Sequence, residues 1–191
     1  MNRKIKIIGG KWKGRNIPIT QYAKIRPTTN RMRETLFNWL NPIISNTICL
    51  DCFAGSGALG LEALSRGASK VTFLDNNRIC ITALKITARS FSAHNSEIIH
   101  TNCLFWLKRS IMTYNIIFID PPFQDNIISK TIFLLEKYNL CKKESWIYIE
   151  TSKKKNIFNI NIIPNHWFLY HKKNTRNVTY YLFLRKQQKY S

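Results

Sequence analysis

The tetrapeptide Asp120-Pro121-Pro122-Phe123 could carry out chemistry on an aromatic amine. Such an amine is a poor nucleophile because its lone pair is delocalised into the ring. The Asp120 carboxylate and the Pro121 carbonyl could each accept one amine hydrogen, which would turn the lone pair toward an electrophilic methyl group. Pro122 would stiffen the turn, and Phe123 would offer a flat face on which a base stacks. An ordinary strand-ending turn is the structural alternative, because Asp and Pro are common turn residues.

A glycine-rich segment, residues 51–60, predicts a cofactor loop between a strand and a helix. Glycines suit this position because the chain turns sharply while its backbone approaches a ligand, and the helix N-terminus then offers free N–H groups. Asp75 lies twenty residues beyond Gly55 and could accept hydrogen bonds from a ribose diol. Nicotinamide and flavin sites use the same pattern.

Two features favour S-adenosylmethionine (AdoMet) over a dinucleotide. Asp51 lies inside the end of the first predicted strand of the sheet, where a buried carboxylate is costly unless it meets a partner such as the methionine ammonium group. The Asp120 motif is the second feature, because a dehydrogenase has no use for it. Asp51 could instead be a helix cap or a loop acid.

Alternating apolar segments predict the elements that must position these residues. The predicted strands are 48–53, 70–75, 97–101, 115–120 and 146–150, and the predicted helices are 57–66, 78–91 and 127–138. Such alternation is typical of a mostly parallel sheet covered on both faces, with ligands at the carboxyl edge of its strands. Segments 167–171 and 178–184, joined by a polar turn, predict an antiparallel hairpin that closes the sheet.

The segment before the sheet predicts an appendage and one more helix. Segments 4–8 and 15–19 flank Gly9 and Gly10 and indicate a hairpin with basic residues on its exposed positions. Apolar residues at helical spacing indicate a helix over 27–40. The length of 191 residues suits one α/β domain, so we expect an N-terminal extension over 1–25 and a catalytic core over 26–191.

The net charge of +20 is concentrated at the two ends of the chain. Residues 1–33 carry ten Lys or Arg and no acid, and residues 151–191 carry nine and no acid. This placement favours a phosphate-binding surface on an electrically ordinary core, and thus a polyanionic substrate. Solvated Lys-rich termini are the alternative.

Cysteine and apolar patterns narrow the class of protein further. Five scattered cysteines predict no disulfide framework, and the pair Cys49 and Cys52 is interpreted as small apolar residues of a buried strand rather than a redox or zinc motif. We expect no metal site, because the four histidines are dispersed. Apolar runs are too short for a membrane span or a secretory signal, so we expect a cytoplasmic protein.

With both motifs placed, the chain resembles the RsmD family of bacterial 16S ribosomal RNA guanine-N2 methyltransferases, within the class I AdoMet-dependent fold. The likeness covers nearly the whole length, and its most specific segments are 7–15, 26–40, 50–60, 67–68 and 120–123. The basic segment 26–40 discriminates best, because class I enzymes in general share the glycine loop but not this stretch.

The resemblance implies a Rossmann-like, mostly parallel seven-stranded sheet with an antiparallel C-terminal hairpin, and AdoMet as methyl donor. It also implies transfer to one guanine of 16S rRNA, guanine 966, on an assembled or assembling small subunit, by a monomer. Asn102 stands where the family commonly has an acid that meets the adenine amine; its side-chain carbonyl can still accept that hydrogen bond.

The predicted site residues fall into three groups. The catalytic group is Asp120, Pro121, Pro122 and Phe123; the cofactor group is Thr28, Arg31, Asp51, Phe53, Ala54, Gly55, Gly57, Gly60, Asp75, Asn76, Asn102 and Cys103; and the RNA-binding group is Lys11, Lys13, Arg15, Arg26 and Arg33. The side chains of Arg31 and Arg33 could instead cover the helix surface.

Two other functions stay open at this point. An adenine-N6 methyltransferase acting on RNA or DNA could use the same Asp-Pro-Pro-aromatic motif, although the chain has no room for a separate DNA-recognition domain. A catalytically silent RNA-binding assembly factor could keep the fold for its basic hairpin. The intact Asp120 and glycine loop argue against that second alternative.

Overall fold

The computed structural model describes residues 4–18, 30–122, 126–153 and 158–186. Three predicted site residues, Arg26, Thr28 and Phe123, lie outside the described residues. The chain divides into two compact units, Met1–Asn102 and Cys103–Ser191. The division into an extension over 1–25 and a core over 26–191 stays a prediction.

The first unit begins with the predicted basic hairpin. Strands β1 (Lys4–Lys6) and β2 (Asn16–Pro18) pair antiparallel, with Ile5 opposite Ile17. A short 3-10 helix, Gly10–Trp12, connects them and buries Trp12. The strands are shorter than predicted because the chain turns into this helix to bury the tryptophan. Helix α1 (Asn30–Leu40) follows and buries the apolar face that the sequence indicates.

The rest of the first unit alternates strands and helices. Its elements are β3 (Ile48–Asp51), α2 (Ala58–Ser65), β4 (Lys70–Asp75), α3 (Arg78–Ser90) and β5 (Ser96–His100). The strands pair parallel in the order β5-β4-β3. Because parallel strands are buried on both faces, β3 and β4 read as nearly continuous apolar runs.

The second unit holds the remaining strands. Its elements are α4 (Cys103–Leu107), β6 (Tyr114–Ile119), α5 (Ile127–Lys137), β7 (Cys141–Ser152), a 3-10 helix (Ile160–Ile162), β8 (Trp167–Asn174) and β9 (Val178–Lys186). The order is β6-β7-β9-β8, with β6 and β7 parallel and the other two pairs antiparallel. Together with the three strands above, these make seven, and the predicted fold class is confirmed.

Two further differences from the sequence prediction concern a strand and a helix of the second unit. Strand β7 begins five residues earlier than predicted. Residues 142–145 are polar and show no apolar strand pattern, and the register of β7 against β6 shifts along this stretch. Helix α4 was not predicted, since one turn and a half is too short to show a helical period. In the described parts of the chain, we find no helix of the length and apolarity that a bilayer crossing requires.

Candidate functional site

The glycine loop of the first unit is built on the end of β4. The Ala54 N–H donates to the Leu74 carbonyl at 2.9 Å, and the Gly55 N–H donates to an Asp75 carboxylate oxygen at 2.7 Å. Gly57 has φ +77°, a left-handed conformation that glycine adopts without strain, and it precedes the first residue of α2. The loop is therefore fixed before any ligand arrives.

Gly60 serves the packing of α2 on the sheet. A side-chain carbon at this position would collide with the Phe73 ring on β4. Only a glycine lets the first turn of α2 approach the strand so closely. The close approach also brings the Gly60 N–H within 3.1 Å of the Asp51 carboxylate at the end of β3.

Asp75 lies at the carboxyl end of β4 and organises two turns. Its second carboxylate oxygen accepts the Asn77 N–H at 2.7 Å, and Asn77 in turn caps α3 by accepting the N–H groups of Ile79 and Cys80. Asp75 is half-buried at this edge of the strand. This placement suits the predicted contact with a ribose diol.

Asp51 is a buried carboxylate with only 2 % of its surface exposed. Burial raises the pKa of Asp51 from 3.8 to about 7, against the lowering effect of the Gly60 N–H, while the Asp75 charge raises it further. Asp51 thus accepts a backbone N–H from the first turn of α2, although the N-cap residue of that helix is Gly57. A cationic group of a ligand beside Asp51 would offset the cost of keeping the carboxylate charged.

We expect the unfolding free energy to reveal this cost. Because the native pKa of Asp51 lies above the unfolded value, the native state binds more protons between about pH 4 and 7, and stability falls as pH rises through that range. The slope reaches up to about 1.4 kcal/mol per pH unit. Urea unfolding at pH 5 and pH 8 measures this change. The unfolding free energy of the native protein should be lower at pH 8 than at pH 5, and Asp51→Asn should lack the part of this decrease that Asp51 causes. An equal decline in both proteins would contradict the assignment.

The other predicted cofactor residues occupy varied positions. Phe53 is half-buried and Ala54 is buried in the glycine loop, while Asn76 and Asn102 are exposed after β4 and β5. The Asn76 carbonyl contacts a ring nitrogen of His100 at 3.0 Å. Arg31 is exposed on the first turn of α1, and Cys103 is buried at the start of α4 in the second unit.

Asp120 follows the last residue of β6 in the second unit, as predicted. The four residues before it are fully buried, whereas Asp120 is half-buried and Pro121 is buried. A rigid strand thus presents this carboxylate at the carboxyl edge, where open α/β sheets bind ligands. Pro122 is exposed.

Glu150 on β7 is a buried acid near Asp120 that the sequence analysis did not identify. Only 6 % of Glu150 is exposed, and its carboxylate accepts the Tyr148 hydroxyl hydrogen at 3.0 Å. Burial, then the charges of Glu150 and Asp120, raise the pKa of Tyr148 well above its usual value. Polar Glu150 at the end of an otherwise apolar run was the available signal.

The predicted RNA-binding residues of the hairpin are exposed, but two of them also contact aromatic rings. The Lys11 ammonium lies 4.4 Å from the Trp12 ring centre, and the Arg15 guanidinium lies 4.1 Å from that of Phe91. Lys13 is exposed. The aromatic contacts restrict the positions of the Lys11 and Arg15 cations on the surface.

Arg33 corrects the sequence prediction. Its side chain is fully buried; it donates to the Lys6 carbonyl at 2.7 Å and lies 3.7 Å from the Glu62 carboxylate. Burial lowers the pKa of Arg33, and the Glu62 charge opposes this shift. A side chain without exposed surface does not contact RNA, so the prediction for Arg33 was wrong, as was the alternative that it covers the helix surface.

Glu62 on α2 explains why the hairpin has a defined position. Its two carboxylate oxygens accept the N–H groups of Ile8 and Gly9, each at 2.8 Å, and Arg66 contacts one of them at 2.8 Å. Ser65, one turn further along α2, accepts the Trp12 N–H at 3.0 Å. Sequence reasoning missed this function, although a lone acid inside an apolar helix was the signal.

All five cysteines are buried and form no disulfide, which fits the apolar interpretation of Cys49 and Cys52; burial raises the pKa of Cys49 to about 12. Within the described ranges, no group of three His, Cys, Asp or Glu could hold a metal ion.

The seven-stranded, mostly parallel sheet and the glycine loop after β3 are typical of Rossmann-like methyltransferases of class I. Residues 5–184 match the family described as conserved hypothetical protein 95. The chain is 48% identical to ribosomal RNA small subunit methyltransferase D of Buchnera aphidicola subsp. Acyrthosiphon pisum, over 96% of this chain and 94% of that one. With the Escherichia coli protein of the same name the identity is 41%, over 96% and 91%.

Solved structures agree with these relatives. The yhhF protein of Escherichia coli superposes with a TM-score of 0.88 and 39% identity, over 97% of this chain and all of that one. The chain belongs to the conserved hypothetical protein 95 family, which is the RsmD family of methyltransferases. The resemblance stated from the sequence is thereby confirmed.

Proposed function

We propose that this methyltransferase transfers a methyl group from AdoMet to the exocyclic N2 amine of one guanine in 16S rRNA. By family resemblance, the guanine is number 966. The observation that carries the reaction is Asp120 at the carboxyl edge of β6, held by four fully buried strand residues and followed by buried Pro121. The relatives' names supply the RNA and the subunit.

The residues of the first unit suit AdoMet. Asp51 is a buried carboxylate whose ionisation a cation would favour, and we assign it to the methionine ammonium group. Asp75 would accept the ribose hydroxyls, and the loop around Gly55 and Gly57 would let the backbone approach the ligand. Asn102 would accept the adenine amine hydrogen.

Asp120 and the Pro121 carbonyl would each accept one hydrogen of the target amine. The amine nitrogen would form the new bond to the methyl carbon, and the sulfur of AdoMet would keep the electron pair of the carbon–sulfur bond that is lost. The nitrogen gains positive charge, which the Asp120 carboxylate stabilises, and its proton passes to that carboxylate or to water. AdoMet supplies the activated methyl group.

The target base must leave its stack to reach Asp120, at a cost of roughly a few kcal/mol. Phe123 is the proposed stacking face that offsets part of this cost. Exposed Lys11, Lys13 and Arg15 are proposed to contact RNA phosphates, and exposed Arg31 is proposed to contact the cofactor. We further propose that the enzyme is a cytoplasmic monomer that acts on the assembled or assembling small subunit.

Transfer of labelled methyl to small ribosomal subunits that lack native base methylation tests this function. Nucleoside analysis of the digested RNA should show the label in N2-methylguanosine. Label in N6-methyladenosine would keep the catalytic assignment and reject guanine. AdoMet binding without any transfer would support the assembly-factor alternative.

A further inference from the structure

Glu150 lies next to the catalytic position on the neighbouring strand. In the parallel register of β6 and β7, Ile119 pairs with Ile149, so the following residues, Asp120 and Glu150, are neighbours at the carboxyl edge. Side chains at the same level of paired strands point to the same face of a sheet. The edge therefore presents two carboxylates side by side, of which the methyl-transfer chemistry uses one.

Tyr148 holds the second carboxylate in place. Its hydroxyl donates to Glu150 at 3.0 Å, and the Tyr148 ring packs against Phe118 and Tyr180, with ring centres 6.4 and 6.2 Å away. Because Tyr148 is fully buried between acids, its hydroxyl stays protonated and remains a donor. A fixed donor and a rigid strand fix the direction in which Glu150 accepts further hydrogen bonds.

A carboxylate in this place distinguishes guanine from other bases. The N2 amine of guanine has the N1–H donor beside it on the Watson–Crick edge, and an enzyme that flips a base reads this edge. Adenine has an acceptor at N1, which a carboxylate would repel. An ionised carboxylate has two oxygens with about four lone-pair sites between them, and the Tyr148 hydroxyl donates to one of these oxygens.

We infer that Glu150 determines base specificity by accepting the guanine N1–H while Asp120 orients the adjacent N2 amine. This inference rests on the proposed function and extends it to the question that the Asp-Pro-Pro-Phe motif leaves open, the choice between guanine and adenine. Glu150 touches the target base beside the reacting atom. Tyr148 is a positioning residue that acts through Glu150.

The test compares guanine with 2-aminopurine at the target position. 2-Aminopurine keeps the exocyclic amine but has an acceptor at N1 in place of the N1–H donor. Subunits are reconstituted from 16S rRNA into which a synthetic segment carrying either base has been ligated. We expect the native enzyme to prefer guanine by about 100-fold or more in kcat/KM.

Glu150→Gln should reduce the kcat/KM ratio of guanine to 2-aminopurine by about ten-fold or more. The reason is that the amide can donate to an N1 acceptor or accept from an N1–H. Tyr148→Phe should reduce this ratio less, since the carboxylate remains. Glu144→Gln is the matched control: Glu144 lies on the same strand, is exposed, and should leave the preference unchanged.

Failure of the Glu150 assignment and failure of the proposed function give different results in this experiment. If the native enzyme labels guanine and Glu150→Gln slows transfer to both bases equally, Glu150 is only structural and the inference is overturned. An unchanged preference in that variant overturns it as well. If the native enzyme labels no guanine in subunits, the proposed function itself fails.

Discussion

Replacing Asp120 with alanine is expected to reduce methyl transfer at least about 100-fold while AdoMet affinity stays within a few-fold. The physical reason is that different residues are assigned to the target amine and to AdoMet. Asp120 follows β6 and is assigned to the target amine, whereas Asp51 and Asp75, which are assigned to AdoMet's ammonium and ribose groups, are the last residues of β3 and β4. Removing the Asp120 carboxylate leaves the amine's lone pair delocalised in the ring.

The measurement combines titration calorimetry with AdoMet and single-turnover transfer to small subunits. Asp120→Asn keeps one carbonyl acceptor without the negative charge, so its transfer rate should lie between those of Asp120→Ala and the native enzyme. Glu144→Ala, at an exposed acid of the same unit, is the control and should transfer normally. Near-normal turnover of Asp120→Ala would remove the central assignment of the reaction.

The fold followed from the sequence where hydrophobic periods were long and clear. Strands β3, β4 and β6 lie within one or two residues of their predicted bounds, because each is an apolar run that ends at a loop or a glycine. Strand β7 was predicted too short, since its first residues are polar and pair with β6 irregularly. The hydrophobic period of a sequence does not indicate where two strands pair irregularly.

Only part of the candidate site could be predicted from the sequence, because some of its residues depend on contacts between segments that are distant in the chain. Asp51, Asp75 and Asp120 were found because each follows a strand in a recognisable motif. Arg33 was misassigned because a charged residue is usually exposed, whereas here a buried Glu62, distant in sequence, is its partner. Glu150 was missed because only the register with β6 places it beside Asp120.

Replacing Glu62 with alanine is expected to lower the free energy of unfolding by about 3–5 kcal/mol. The Glu62 carboxylate is fully buried, contacts Arg33 and Arg66, and accepts the N–H groups of Ile8 and Gly9. Its removal leaves the fully buried Arg33 charge, the partly buried Arg66 charge and two partly buried N–H groups without this partner, and each such loss is costly.

Urea unfolding measures this loss, and Glu97→Ala is the matched control. Glu97 also forms an ion pair, with Lys70 at 2.7 Å, but both side chains are 40 % or more exposed, so its removal should cost at most about 1 kcal/mol. Hydrogen exchange adds a local readout. In Glu62→Ala, the amides of Ile8 and Gly9 should exchange well before global unfolding.

The same variant tests whether the hairpin needs its attachment to α2 to contribute to RNA binding. Helix α2 begins at the glycine loop and holds the hairpin through Glu62 and Ser65, so one short helix supports both the proposed cofactor loop and the hairpin cations. We therefore expect Glu62→Ala to raise the KM for small subunits. A loss below 1 kcal/mol together with an unchanged KM would mean that the hairpin holds its position without this carboxylate.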